Sequence, residues 1–394
     1  MDGGTEPADS QERALTVEFG LTDDQQLFHE TTAKFLEDTC PIDVVRTIAE
    51  EQPDGFDRSW WRQGAELGWI SMLVAEEHGG GSVSGRGLAD LALVAEEVGR
   101  LVEPGPLVPT NVVAAALSRS GSADQRRHLA GLVGGETVAT WVPPSLAATP
   151  GRSGTLDTGV RATARGDGFV LQGTTAPVEA GGQADLVLVT ADTDAGPTQF
   201  VLPAGMSGLT AEQAESIDLV RRFATLRFDG VEVGAEATLG VAGQAQADVD
   251  RQLHDAVVLQ CAEMVGAIDR VFAFTVEYAE DRYSFGRPLV SYQALKHRFA
   301  DMKMWLEASH ATTGAAARAV DSGSPHAGEL VSVAKSYIGD HGPFILQECV
   351  QLHGGIGVTW DHDLHLYLRR VVQDRALFGT PRDHRERIAV GMGI

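Results

Sequence analysis

Cysteine is scarce: Cys40, Cys261 and Cys349 are the only three in 394 residues, and no two stand at a metal-type spacing. That argues against a disulfide framework and against a closed zinc site. Buried reduced thiols in a reducing compartment are expected instead. Basic residues are also few, 31 Lys plus Arg against 55 Asp plus Glu, giving a formal net charge of −24. Such a surface repels phosphate backbones and anionic lipid, so neither nucleic acid nor a membrane is an expected partner. No apolar run approaches the roughly 20 residues of a spanning helix. Met1 to Arg13 has no basic stretch followed by an apolar core, so the chain reads as cytoplasmic. Internal repeats, low-complexity tracts and a Gly-x-Ser-x-Gly nucleophile elbow are missing too.

What is present is enough apolar material, 43% of the residues, for more than one core, and a chain of this length is expected to divide into two or three subdomains. After a polar leader over residues 1–20, Thr22-Asp23-Asp24-Gln25 has the form of a capping box before Leu27, Phe28 and Phe35. Helical signals continue through Trp60-Trp61, read as core or subunit contact, and the apolar stripe Leu88, Leu91, Val94 and Val98. Residues 21–130 are thus expected to form an N-terminal helical domain. Over residues 131–240 the texture changes to short β-type runs, Phe169 to Leu171, Leu186 to Val189, Gln199 to Leu202 and Ala224 to Phe228, separated by Gly, Asp and Thr. That predicts a central β domain. Helical periodicity returns over residues 241–394, with Leu295, Phe299, Met302 and Leu306 on one face, breaks at Gly286-Arg287-Pro288 and Ser322 to Pro325, and Ser324 as a candidate N-cap before Pro325. The fold class is α+β, with a C-terminal four-helix bundle.

Two segments carry the chemistry. Arg282-Tyr283-Ser284-Phe285-Gly286-Arg287-Pro288 runs on to Gln293, and Gln351-Leu352-His353-Gly354-Gly355 follows some sixty residues later. An arginine fork suits a pyrophosphate, an aromatic wall suits an adenosine, and paired glycines let a backbone approach a ligand closely. Each segment alone also reads as an ordinary helix end at a turn. Together, in this order, they resemble the two flavin-gripping segments of the acyl-CoA dehydrogenase family, and the helical, β, helical domain order is similar to that family's over about residues 21–389. The resemblance implies FAD as cofactor, with Arg282, Phe285, Gln293, Gln351, Gly354, Gly355 and Thr380 as cofactor-binding residues that reach the flavin of a neighbouring subunit. It further implies an acyl-CoA substrate and electron-transferring flavoprotein as electron acceptor.

The family's catalytic glutamate is not where the resemblance places it. Its two usual sites fall on Phe378, within Leu377-Phe378-Gly379-Thr380, and on Ala256, and neither side chain accepts a proton. Abstraction of a proton α to a thioester needs a carboxylate within reach, so no catalytic residue is assigned. Asp255 and Glu263 remain open as a relocated base, against a plain reading as ion-pairing residues. The stretches that resemble the ring cradle, Val142-Pro143-Pro144-Ser145 and Pro177-Val178-Glu179, depart from the family pattern, and Glu179 would set a charge beside an electron-accepting ring. The expectation is a base-less partner chain of an α2β2 flavoenzyme, similar to the actinobacterial heterotetrameric branch, which handles bulky acyl-CoAs such as steroid side chains. A self-sufficient homotetramer and a non-enzymatic acyl-CoA-binding protein are the alternatives. Asp361-His362-Asp363-Leu364-His365 does not converge on one helix face, so no metal is assigned. Gly79-Gly80-Gly81 lacks a Walker Lys-Ser/Thr.

Overall fold

Thr22 opens the first helix by the reciprocal cap its sequence predicts: its hydroxyl accepts from the Gln25 N–H at 3.2 Å, and Gln25 Oε1 accepts from the Thr22 N–H at 3.1 Å. This computed structural model describes residues 20–52, 55–144 and 159–394. The expected polar leader, all but Gly20, and Ser145 therefore lie outside the described residues. Among those described, seven helices form the first layer: α1 (Asp23–Thr39), α2 (Ile42–Glu51), α3 (Arg58–Glu66), α4 (Gly87–Arg100), α5 (Leu107–Ser120), α6 (Ala123–Arg126) and α7 (His128–Val133). Trp60 and Trp61 belong to the core, where both meet Trp69 edge to face with ring centroids 5.8 and 6.5 Å apart.

The expected β runs fall in one nine-stranded mixed sheet. Its strands are β1 (Ala139–Val142), β2 (Val160–Arg165), β3 (Gly168–Thr174), β4 (Val178–Glu179), β5 (Leu186–Thr193), β6 (Gly196–Pro203), β7 (Leu209–Ala214), β8 (Phe223–Val233) and β9 (Thr238–Leu239). The spatial order is β4-β8-β3-β2-β5-β6-β9, with β7 antiparallel to β8 and β1 parallel to β5. The β1 pairing matters for the site, because it carries Trp141 opposite Leu188 at the margin where sheet meets helices. The sheet has its own core around Phe200, Phe228 and Val189.

The C-terminal helical bundle is built from α8 (Gln246–Asp281), α9 (Gln293–Asp321) and α10 (Ala327–His353), with α11 (Leu364–Ala376) and α12 (Pro381–Gly391) closing it. The predicted cap at Ser324 is displaced. Ser324 Oγ accepts from the His326 N–H at 3.2 Å within a turn, and α10 begins at Ala327. The break at Gly286 is more than a break: β10 (Tyr283–Ser284) and β11 (Arg287–Pro288) form a two-strand hairpin there. The two helical layers share one apolar core, because α4 and α8 cross at glycines. A Cβ on Gly99 would lie 1.9 Å from Glu263 O, and one on Gly266 would lie 1.8 Å from Glu96 O, so only bare backbone permits that approach.

Candidate functional site

One face of the candidate site points outward. Helix α8 ends as Arg282 turns extended, with its N–H donating to Tyr278 O. At the hairpin tip Phe285 (φ 49°) and Gly286 (φ 82°) are both left-handed, the backbone of a two-residue hairpin turn. This leaves the Phe285 ring 98% exposed. The loop is braced from behind: Tyr292 Oη donates to Ser284 O at 2.6 Å and the Arg287 guanidinium lies 3.9 Å from the Tyr292 ring centre. Gln293 follows as the first, exposed residue of α9. The second segment arrives at the same place. Tyr278 stacks on His353 with centroids 4.4 Å apart and donates its hydroxyl to His353 O at 3.3 Å. Gln351, Gly354 and Gly355 are exposed next to that joint. Gly354 needs its φ of 63°, whereas a Cβ on Gly355 would meet nothing within 4 Å. The chain's own packing therefore gives no reason for the second glycine. Thr380 stands apart as the N-cap of α12, donating its hydroxyl to Asp383 Oδ2 at 2.7 Å.

The inward face is closed. Phe378 (φ 56°) turns its ring to Trp141 at 5.6 Å between centroids, tilted by 37°, and its carbonyl is held by His384 Nε2 at 2.9 Å. Behind this pair lies a buried charge cluster whose centre, Arg221, sequence reasoning missed. Arg221, from the loop before β8, reaches Glu263 Oε2 on α8 at 3.1 Å, Asp218 Oδ2 at 3.2 Å, Glu179 Oε2 at 3.5 Å and Asp374 Oδ1 on α11. Arg370 pairs with Asp218 and donates to Glu103 O at 3.1 Å. Lys335 on α10 donates to Gln260 Oε1 and Asp374 O. The signal available in sequence was small: two adjacent arginines, Arg221-Arg222, three residues after an aspartate in an otherwise β-rich stretch.

Four carboxylates converge on two guanidiniums, and burial leaves the surplus to be relieved by protons. Burial, only partly offset by Arg221, pushes Glu263 up to about 8 and Glu179 up to about 7. Asp218, also buried, is held down to about 2 by Arg370 and Arg221 and by the Val220 N–H. Lys335 is lowered to about 8 by its burial. Of the two candidate bases, Glu263 is thus spent on Arg221, and Asp255 is fully buried between Arg119 and Arg251 at 3.1 and 3.0 Å. Ala256 is buried as well.

Two cavities approach this cluster. The one that touches both Glu179 and Arg221 has a volume of about 10 Å³, about one water. An open groove of about 550 Å³ passes outside the loop, lined by Glu50, Glu51, Glu215 and Asp218 as well as Arg221 and Arg222. It presents mainly negative charge, the wrong sign for an anionic thioester. Among the described residues, those that resemble a flavin ring cradle leave room for about one water beside Glu179 and not for a ring system, while the outward segments offer what the pyrophosphate and adenosine end of one needs: guanidinium, aromatic ring, amides and bare backbone, all exposed. Among the described residues no helix is long and apolar enough to cross a membrane.

Residues 22–136 match the model of the acyl-CoA dehydrogenase N-terminal domain, and residues 248–393 that of its C-terminal domain. Acyl-CoA dehydrogenase IpdE2 of Mycolicibacterium smegmatis is 31% identical over 93% of this chain and 98% of its own length. Among solved structures, a variant of the Tcur3481-Tcur3483 steroid ACAD superposes with a TM-score of 0.82 at 28% identity, over 94% of this chain and 98% of that one. The ChsE4-ChsE5 complex from Mycobacterium tuberculosis gives 0.84 at 26% identity, over 95% and 99%.

Proposed function

Since this chain belongs to the acyl-CoA dehydrogenase family, we propose that it is the base-less partner of an α2β2 flavoenzyme, and that the observation carrying this role is the contrast between a closed ring site and an open outer grip. In its own interior, Phe378 packs its ring against Trp141 and offers no proton acceptor, and Glu179 and Glu263 are engaged by Arg221. Outside, Arg282, Phe285, Gln293, Gln351, Gly354 and Gly355 hold the outer end of an FAD seated mainly in the other kind of subunit. FAD there supplies hydride acceptance; this chain supplies orientation. The Arg282 fork neutralises pyrophosphate, the Phe285 ring covers the adenosine, and Gly355 lets backbone approach without a side chain between. Thr380 contributes indirectly, by fixing the start of α12.

The reaction of the assembly is α,β-dehydrogenation of an acyl-CoA, with electron-transferring flavoprotein as acceptor. A bulky, steroid-derived acyl group is supported by the similarity to a structure described as a steroid ACAD. Co-expression with a flavin-bearing acyl-CoA dehydrogenase subunit, followed by flavin analysis, tests the role. Half a flavin per chain is expected in the mixed tetramer, and Arg282→Ala should weaken flavin retention about tenfold or more, as for other lost charge-assisted bonds. Yellow, active protein from this chain alone overturns it. Glu263 as base is the competing reading, favoured by a pKa of about 8. An essential base replaced by Gln would cost about two or more decades in turnover, whereas a structural Glu263 changes stability and leaves turnover of the complex intact.

A further inference from the structure

On the other side of α8 from the charge cluster, α4 and α9 lie antiparallel with a slot between them. Asp321, the last residue of α9, accepts from the Leu88 and Ala89 N–H groups at the start of α4, both at 2.9 Å. Three turns back along α9, roughly 16 Å at the helical rise, His310 meets Glu96 of α4 with Nδ1 and Oε1 3.7 Å apart. The cavity bounded by these ends has a volume of about 160 Å³ and a floor of small side chains, Ala89, Ala92, Ala262 and Ala317. That volume is close to the roughly 150 Å³ of an apolar cavity that takes up benzene.

Arg86 and Arg318 stand at the Asp321 end. No hydrogen bond, ion pair or ring contact engages either guanidinium among the described residues. Carboxylates are in surplus in this chain, 55 acidic side chains to 31 basic ones, yet among the described residues none closes on either fork. Gly314 keeps the space beside Arg318 clear, since a Cβ there would come 3.1 Å from Arg318 Nη1. Two free forks over a small apolar floor match a carboxylate joined to a short hydrocarbon.

We propose that the slot between α4 and α9 binds a small monocarboxylate, its carboxylate held by Arg86 and Arg318 and its hydrocarbon body lying on Ala89, Ala92, Ala262 and Ala317. Glu96 at the far end selects against a second carboxylate, by like-charge repulsion in a partly desolvated place. The site uses none of the residues that face the flavin grip or the Arg221 cluster, so it stands or falls independently of the assembly role.

Hexanoate is the probe, titrated calorimetrically into the full chain in whatever assembly it is purified. Saturable uptake of one hexanoate per chain is expected. The double variant Arg86→Gln/Arg318→Gln should weaken it about tenfold or more through loss of the charge-assisted bonds, with thermal unfolding unchanged. Ala92→Leu, which fills the floor, should do likewise, and adipate and hexylamine should bind at least about tenfold more weakly than hexanoate, as like charge or a missing anion requires. Absence of saturable hexanoate uptake by folded wild type overturns the proposal. So does uptake unchanged in the arginine variant, which decides the matter even if Ala92→Leu fails to fold, and so does adipate binding as well as hexanoate.

Discussion

At Arg221 one guanidinium touches four carboxylates, and its removal leaves Glu179, Glu263 and Asp374 buried without it, while Asp218 keeps Arg370. We expect Arg221→Met to destabilise the chain by about 3–5 kcal/mol, the usual cost of breaking a buried ionic group from one side. Urea unfolding at neutral pH checks it. Glu263 gives a pH test with a definite sign. Its folded pKa is raised from the glutamate range to about 8, so between about 4.5 and 8 the folded state binds more protons than the unfolded one. Its contribution to stability is present in full below the unfolded value and is lost as pH rises through the folded one. Wild type should therefore lose stability relative to Glu263→Gln across that window, in paired denaturation curves. His384 acts in the opposite direction: burial lowers it to about 4, so stability falls as pH drops from about 6.5 towards 4. The paired comparison cancels that contribution. Phe378→Glu would put an acid where the resemblance places the family's base. With Trp141 and Arg221 still in place, the variant expressed alone should show neither visible flavin absorbance nor dehydrogenase activity.

Elements bring these residues together, and the α4–α8 crossing does most of it. Gly266→Ala should cost about 3 kcal/mol, the upper range for overpacking, since its Cβ would press on the Glu96 carbonyl at 1.8 Å. The expected readout is a lower denaturation midpoint at unchanged slope. Element types were legible in the sequence because local chemistry decides them: Thr22 and Gln25 cap α1, and the Phe169, Leu186, Gln199 and Ala224 runs all became strands. Ser324 misled because a serine before proline serves a turn as readily as a cap. The break that carries Arg282, Phe285 and Gln293 was legible for the same local reason, as all three lie at one connection between α8 and α9. Arg221 was not. Its partners Glu179, Glu263 and Asp374 are 42 to 153 residues away in sequence, and only the packing of sheet against bundle reveals that they meet.

On the scale of the whole molecule, a strongly acidic chain sets the exposed Arg282, Phe285 and Gln293 on one hairpin connection and Gln351, Gly354 and Gly355 at one helix end, and buries a charge cluster between sheet and bundle. The hairpin projects a bare Phe285 ring that its own subunit does not cover. Mixed assembly should bury it. Hydrogen exchange across residues 283–293 is expected to slow on addition of the flavin-bearing subunit and to remain fast in Arg282→Ala/Phe285→Ala mixtures.

The filled interior has an evolutionary consequence. Under the proposed role, opening a ring site in this subunit would have to replace Phe378, withdraw Trp141 and dismantle the set formed by Glu179, Asp218, Arg221, Glu263 and Asp374. Each change made singly leaves stranded charge or a crowded ring, so intermediate sequences fold less well than either endpoint. On the proposed role, such a valley would work as a ratchet, making reliance on a companion hard to reverse.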